Sequence, residues 1–149
     1  DNKIIQNIFS VLKTARDDGS KIFIMGNGGS ASTASHFTAD LLKTSILKEE
    51  KRFKAFCLSD NIPVLLAWAN DSSYDEVFVG QLENFLQSND VVIAISGSGN
   101  SPNVINAIKY GDYESTKKAN ELGALCKELY KKLNLLFSFT FLIISKKIL

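Results

Sequence analysis

The sequence IFIMGNGGSASTASHFTADLL occupies residues 22–42 and is the stretch that decides the fold. Its apolar start predicts a short buried strand over residues 21–26. A bend rich in Gly and Ser comes next, and a helix is predicted over about residues 29–43. The apolar residues that share one face of this helix are Ala31, Ala34, Phe37 and Leu41. The stretch therefore predicts a strand, a tight bend and a helix in direct succession.

A second stretch, DVVIAISGSGNSPN at residues 90–103, has the same organisation. Five of the six residues 91–96 are apolar, and a Gly/Ser bend follows them. Pro102 suits the first turn of a helix, because the N–H that proline lacks has no partner there. The two stretches thus form a weak repeat of a motif in which a buried strand runs into a Gly/Ser bend.

The remaining segments alternate between strand and helix patterns. Apolar spacing predicts an N-terminal helix over residues 3–16, a strand over residues 53–59, a helix opened by Pro63, and a helix over residues 75–87. The apolar faces of the first and last of these helices include Ile5 and Phe85 respectively. Such alternation predicts an α/β fold with a parallel sheet, which binds ligands at the carboxyl ends of its strands.

Composition and charge exclude several classes of protein. The 149 residues are 45% hydrophobic and 22% charged, as in an ordinary globular domain. The formal net charge of +1 gives no basic excess for a nucleic-acid partner. No secretory leader is recognised, and the apolar run at residues 133–145 is shorter than a membrane span, so a buried strand or helix is expected there. Cys57 and Cys126 lie far apart and match no zinc spacing. Cys57 sits in an apolar run, as a small buried hydrophobic residue would, and a reduced, cytoplasmic setting fits.

The two Gly/Ser bends are candidate anion sites. Glycine lets backbone approach a ligand closely, and the N–H groups at a helix N-terminus attract phosphate. The alternative is that both bends are only turns with serine caps. The P-loop pattern is absent. Residues 26–31 do satisfy G-x-G-x-x-A, but the second strand ends at Asp60, about 30 residues on rather than about 20, which disfavours a dinucleotide. No nucleotide cofactor is expected.

Three motifs together resemble the sugar isomerase (SIS) domain family, and more narrowly the phosphoheptose isomerases. They are GNGGSASTASHFTADL, LLAWANDSSYDEVF and ISGSGNSPNV, within about residues 20–110. The resemblance implies a flavodoxin-like three-layer sandwich and a small-molecule sugar phosphate as ligand, bound by a homotetramer. It also implies interconversion of sedoheptulose 7-phosphate and a heptose 7-phosphate through an enediol. We expect the SIS domain, with its N-terminal helix, to span residues 1–110.

The resemblance also implies which residues bind the substrate. Serines of both bends grip the sugar phosphate in the family, and Asn27 and Asp71 match positions that line the sugar site. Where many relatives have Ser-Thr-Ser in the second bend, this chain has Gly97 in the middle. The implied substrate-binding residues are Asn27, Gly28, Gly29, Ser30, Asp71, Ser96, Gly97, Ser98, Asn100 and Ser101.

His36 and Asp40 are the candidate catalytic residues. Aldose–ketose isomerisation needs a carboxylate or imidazole to carry a proton between adjacent carbons. Residues four apart lie on one helix face, where the pair could equally be a solvated ion pair. The family has His-x-x-x-Glu here, its Glu being the proposed base and, with the His, a zinc ligand in some members. Asp40 is shorter than Glu by about one C–C bond, about 1.5 Å. The resemblance makes Asp40 the proton carrier and both residues tentative Zn²⁺ ligands.

Residues 111–149 depart from the family pattern. The resemblance implies further strands and a second essential histidine, but His36 is the only histidine of the chain. We expect a divergent segment with a helix followed by an apolar run, and a sheet incomplete at its C-terminal end. An altered reading frame is one hypothesis for this segment. The alternative function is a non-catalytic phosphosugar-binding or assembly module.

Overall fold

The computed structural model describes residues 2–111 and 141–146. The elements in chain order are α1 (Asn2–Asp18), β1 (Lys21–Gly26), α2 (Gly29–Ala39), a π-helical turn (Asp40–Thr44), β2 (Lys54–Cys57), α3 (Ile62–Asp71), a 3₁₀ turn (Tyr74–Glu76), α4 (Val79–Phe85), β3 (Val91–Ser96), α5 (Pro102–Gly111) and β4 (Phe141–Lys146).

The strands form one sheet in the order β2-β1-β3-β4. β1 pairs in parallel with both β2 and β3, and in the second pairing Gly26 lies opposite Ile95. The predicted α/β fold with a parallel sheet is confirmed for these three strands. β4 adds an antiparallel neighbour to β3, as is common at the edge of large α/β sheets. This strand overlaps the end of the apolar run at residues 133–145, for which the sequence predicted either a strand or a helix.

Helices cover both faces of the sheet and make three layers. One core cluster packs α1 and α2 against Ile22 and Ile24 of β1. The other packs α4 and α5 against Phe23 and Met25 of the same strand, with α3 resting on its edge. Both sets of β1 side chains are buried, so the strand is apolar throughout rather than alternating with polar residues.

Two details of the helices differ from the sequence-based expectation. Ile5 on α1 is 53% exposed, so the apolar face of that helix is only partly covered. The prediction that Phe85 faces inward is wrong, because its side chain is 56% exposed. The carbonyl oxygen of Phe85 accepts a hydrogen bond from Nζ of Lys21, the first residue of β1. The end of α4 therefore lies level with the amino edge of the sheet, where the core ends.

Asp90 stabilises the amino edge of the sheet, where β1 and β3 begin. It is 3% exposed, and its Oδ1 accepts a hydrogen bond of 2.7 Å from the backbone N–H of Lys21. Its Oδ2 accepts bonds from the backbone N–H of Gln87 and from Lys21 Nζ, at 2.9 and 3.2 Å. A buried carboxylate with three donors joins the starts of β1 and β3 and fixes their register.

No helix within the described ranges is long and apolar enough to cross a membrane. The helix expected after residue 110 and the thiol of Cys126 lie outside the described residues, as does most of the segment predicted to diverge from residue 111 onwards.

Candidate functional site

The two Gly/Ser bends leave the sheet at the same edge. β1 and β3 are adjacent and parallel, with Gly26 opposite Ile95, so the residues that follow each strand emerge side by side. α2 begins at Gly29 and α5 begins at Pro102, directly after these bends. Two helix N-termini, each with a partial positive charge, therefore share one corner of the molecule.

The first bend depends on glycine at two positions. A Cβ on Gly26 would lie 2.7 Å from the backbone carbon and oxygen of Ser30 and 2.8 Å from the carbonyl oxygen of Ile95. Gly28 has a φ of 53°, in the left-handed region, and it precedes α2 without a side chain that could cap the helix. The backbone can thus turn sharply and leave the N-terminus of α2 open to an anion.

The second bend is shaped by its own serines. Ser96 is 4% exposed and its Oγ accepts a hydrogen bond of 3.1 Å from the backbone N–H of Gly99, which has a φ of 65°. Ser98 Oγ accepts one of 3.2 Å from the N–H of Asn100. Ser101 is half-buried just before α5. Of the predicted serines, Ser96 is therefore buried and stabilises the loop through this hydrogen bond, whereas Ser98 lies on the exposed surface.

Asn27 links the two bends through a residue that the sequence did not reveal. Its Nδ2 donates to Oδ1 of Asn103, and Nδ2 of Asn103 donates to Oδ1 of Asn27, both at 2.9 Å. The hydroxyl of Tyr74 donates to the same Oδ1 of Asn27 at 3.0 Å. Asn103 is 1% exposed, on a face of α5 otherwise apolar. The signal in the sequence that could have revealed Asn103 was a polar residue on the apolar face of a helix.

Asp71, one of the predicted substrate-binding residues, is not joined to either bend by the described contacts. It ends α3 and is exposed, and its Oδ1 accepts a hydrogen bond of 2.7 Å from Nδ2 of its neighbour Asn70. Tyr74, three residues later, is the residue of this segment that contacts Asn27. The segment after α3 therefore does reach the site, through a side chain that the sequence did not single out.

His36 and Asp40 lie on one face of the helical segment that starts with α2, as their spacing predicts. His36 Nδ1 is 3.3 Å from Asp40 Oδ2, and the side chains are 82% and 50% exposed. Asp40 begins the π-helical turn, and its Oδ1 accepts a hydrogen bond of 3.0 Å from Thr44 Oγ1. π-Helical turns are rare and often lie at functional sites. The pair is open to solvent on the outer surface of the helix.

A cleft of about 550 Å³ lies beside His36. Ser35 Oγ donates to Asp60 Oδ2 across it at 3.0 Å. Ser59, also in its wall, is buried and bonds to both the N–H and the carbonyl oxygen of Gly26, at 3.1 and 2.8 Å. Ser59 thereby connects the cleft to the first bend. The residues that line the cleft are Ala31, Ser32, Ser35, His36, Ala39, Ser59 and Asp60.

Residues 1–117 match the family model described as "SIS domain".

The chain belongs to the SIS domain family.

This SIS domain is similar to curated phosphoheptose isomerases. It is 46% identical over 107 residues to a probable phosphoheptose isomerase of Thermoplasma acidophilum, a match that covers 72% of this chain and 58% of the relative. It is 46% identical over 112 residues to the phosphoheptose isomerase of Helicobacter pylori, covering 75% of this chain and 55% of the relative. The SIS domain therefore spans little more than half the length of these relatives.

Solved structures show the same likeness. The phosphoheptose isomerase GmhA from Neisseria gonorrhoeae superimposes with a TM-score of 0.62 at 35% identity, over 70% of this chain and 53% of that one. A phosphoheptose isomerase from Francisella tularensis gives a TM-score of 0.64 at 24% identity, over 70% and 54% of the two chains, and supports the fold alone.

The donor set for a metal in this SIS domain is small. Among residues 2–111, no group of three or more His, Cys, Asp or Glu side chains is arranged to hold a metal ion. His36 and Asp40 provide nitrogen and oxygen donors of the kind that zinc binds, but they are two of the four ligands that a tetrahedral site requires. Cys57 is half-buried, and burial raises the pKa of its thiol.

Proposed function

We propose that this SIS domain binds a sugar phosphate at the corner formed by the two bends and interconverts sedoheptulose 7-phosphate with a heptose 7-phosphate. The observation that carries the proposal is the parallel pairing of β1 with β3, which sets two Gly/Ser bends and two helix N-termini side by side. Backbone N–H groups and serine hydroxyls there suit a phosphate dianion without any Lys or Arg. Similarity to relatives named phosphoheptose isomerase supports the choice of substrate.

The length of α2 supports a long sugar chain. Ser30 and His36 are six residues apart, a rise of about 9 Å along the helix. An extended seven-carbon sugar places its C2 at roughly the same distance from a phosphate on C7, given C–C bonds of about 1.5 Å. A phosphate at the start of α2 would thus place the carbonyl end of a heptose level with His36 along the helix axis, and the Asp40 carboxylate lies 3.3 Å from His36 Nδ1.

In the proposed mechanism the phosphate anchors the substrate and the helix pair acts on its other end. Asp40, as carboxylate, takes a proton from the carbon next to the carbonyl group and returns it to the adjacent carbon of the enediol. His36, 3.3 Å from Asp40, holds that carboxylate in place and exchanges a proton with the substrate oxygens. Carboxylate and imidazole are both groups that such proton transfers use.

Zinc and self-association are parts of the same proposal. In a metal-dependent form of the proposal, His36 and Asp40 would instead hold Zn²⁺ together with ligands from outside the described residues, and the metal would polarise the carbonyl oxygen of the substrate in place of a proton from His36. A homo-oligomer is supported by large exposed apolar side chains on α1 and α3. These are Ile5, Phe9, Ile62 and Leu66, each more than half exposed. We further propose a cytoplasmic location, because the cysteine pattern of the sequence fits a reduced setting.

A second candidate function is phosphosugar binding without turnover. The observation that favours it is that Asp40 stands where the family resemblance implies a Glu, which shortens the reach of the proposed base by about one C–C bond, about 1.5 Å. The same corner would then serve recognition or assembly.

One pair of measurements tests both candidates. Thermal unfolding is followed during titration with sedoheptulose 7-phosphate, and isomerisation is assayed with and without added Zn²⁺. Stabilisation with turnover supports the isomerase, and stabilisation without turnover supports the binding module. Absence of both would refute the phosphate corner. Ser98→Ala should weaken binding, whereas Ser10→Ala, an exposed serine on α1, is the matched control.

A further inference from the structure

We propose that Asn103 is a positioning residue that sets the geometry of the phosphate corner by locking Asn27. The inference rests on the proposed function, since it concerns how the same corner is held ready for a dianion. Asn103 and Asn27 are 76 residues apart in sequence and join α5 to the end of β1. Their contact is the direct side-chain link between the two bends.

The contact leaves Asn27 Oδ1 with no acceptor capacity for a ligand. An amide oxygen has two lone pairs, and this one accepts from Asn103 Nδ2 and from the Tyr74 hydroxyl. Asn27 Nδ2 in turn donates to Asn103 Oδ1. The oxygen of the side chain expected to bind the sugar is thus committed to other residues of the protein, and one of its two Nδ2 hydrogens is committed to Asn103.

The backbone of Asn27 shows how these side-chain hydrogen bonds stabilise the first bend. Its carbonyl oxygen accepts hydrogen bonds from the N–H groups of Ser30 and Ala31, at 2.9 and 3.3 Å, and so closes the turn that opens α2. On the other side, Asn103 Oδ1 accepts from the N–H of Val104 in the first turn of α5, at 3.0 Å. The amide pair therefore holds both helix N-termini in one fixed relation, before any ligand arrives. Donors fixed in advance stabilise an anion without reorganisation.

The burial of Asn103 stabilises its contact with Asn27, which we call the lock. Asn103 is 1% exposed, so its amide cannot exchange its partner for water without opening the core, whereas Asn27 is half-buried. Tyr74 is 56% exposed, and its hydroxyl reaches Asn27 from the solvent side. The lock thus has a buried half and an exposed half, which can be tested separately.

The experiment measures the dissociation constant of inorganic phosphate and the KM and kcat for sedoheptulose 7-phosphate in the full chain. Asn103→Leu, close in shape but apolar, should raise the dissociation constant and KM about tenfold, as loss of hydrogen bonds that order the site would. Tyr74→Phe removes one exposed bond and should raise both by about threefold with an unchanged urea midpoint.

Asn103→Asp gives a readout that a merely structural role would not move. In this variant an ionised carboxylate would face Asn27 Oδ1 without a donor, whereas the protonated acid can donate and accept as the amide does. The phosphate dissociation constant of the variant, divided by that of the wild type at the same pH, should fall as pH is lowered from 8 to 5. The same ratio for Asn103→Leu should stay flat, because the ionisation of phosphate cancels.

The outcomes separate this inference from the function beneath it. A wild type that binds no phosphate overturns both. A wild type that binds, with Tyr74→Phe equal to it and a flat pH ratio for Asn103→Asp, overturns the lock and leaves the phosphate corner standing. Lower urea midpoints with unchanged phosphate affinity would make Asn103 a stabilising residue only, and would also overturn the proposal.

Discussion

The carbonyl oxygen of Ile95 lies 2.8 Å from the point that a Cβ on Gly26 would occupy. Ser30 backbone atoms lie 2.7 Å from the same point. The first bend, α2 and β3 therefore meet at one glycine, and the close approach that brings the two bends together leaves no room for a methyl group.

Gly26→Ala is expected to destabilise the fold by roughly 2–3 kcal/mol, since backbone on both sides must move. Urea unfolding measures this change. Gly29→Ala is the control, because nothing lies within 4 Å of its Cβ position and alanine favours a helix. Equal stability of the two variants would contradict the packing described here.

Gly97→Thr is expected to tighten binding of inorganic phosphate by about threefold, the value of one added hydrogen bond. Its Cβ position has no atom within 4 Å, so the side chain fits. Calorimetric titration measures the affinity. Gly97→Val has nearly the same shape without the hydroxyl and should not tighten binding; if it matches Thr, the gain does not come from a hydroxyl.

Asp40→Asn is expected to lower kcat by about 100-fold or more with phosphate affinity unchanged, because the amide cannot take the proton. Asp40→Glu, which regains the missing methylene, is expected to raise kcat. Steady-state kinetics on sedoheptulose 7-phosphate measure both. Undiminished turnover in Asp40→Asn would remove Asp40 as the proton carrier.

Asp90→Ala is expected to cost about 2–4 kcal/mol of stability, because three donors at the amino edge, two from Lys21 and one from Gln87, lose their buried acceptor. Glu83→Ala removes an exposed carboxylate from α4 and is the control. Phosphate affinity of the folded protein should stay the same in both, since Asp90 lies at the opposite edge of the sheet. A weakened phosphate site with unchanged stability would contradict this division of roles.

Cys57 is expected to react slowly with iodoacetamide at pH 8. Burial raises the pKa of its thiol, so the reactive thiolate is scarcer than in an unfolded chain. The rate is measured in a Cys126→Ser background, with the urea-unfolded protein as reference. A folded rate equal to the unfolded one would show that Cys57 is not shielded.

What the sequence revealed were features set by neighbours along the chain. The strand–bend–helix unit at residues 22–42 depends on local pattern, and so does the His36–Asp40 pair, whose spacing fixes its face of the helix. The parallel sheet followed from alternation of strands and helices.

What the sequence did not reveal depends on contacts between distant segments. The Asn27–Asn103 pair exists because β1 pairs with β3, and the Lys21–Asp90 bond closes the other end of the same strands. The exposure of Phe85 depends on where α4 ends relative to the sheet. The antiparallel direction of β4 depends on how it pairs with β3. Periodicity carries no information on these.

The central claim is that both bends bind one phosphate dianion. The direct measurement is a titration of the ¹⁵N-labelled protein with sedoheptulose 7-phosphate, following each amide by NMR. We expect the amides of Gly28, Gly29, Gly97 and Ser98 to shift together with a single dissociation constant, while Gln87 at the far edge stays in place. Shifts confined to one bend, or two bends that saturate at different concentrations, would contradict it.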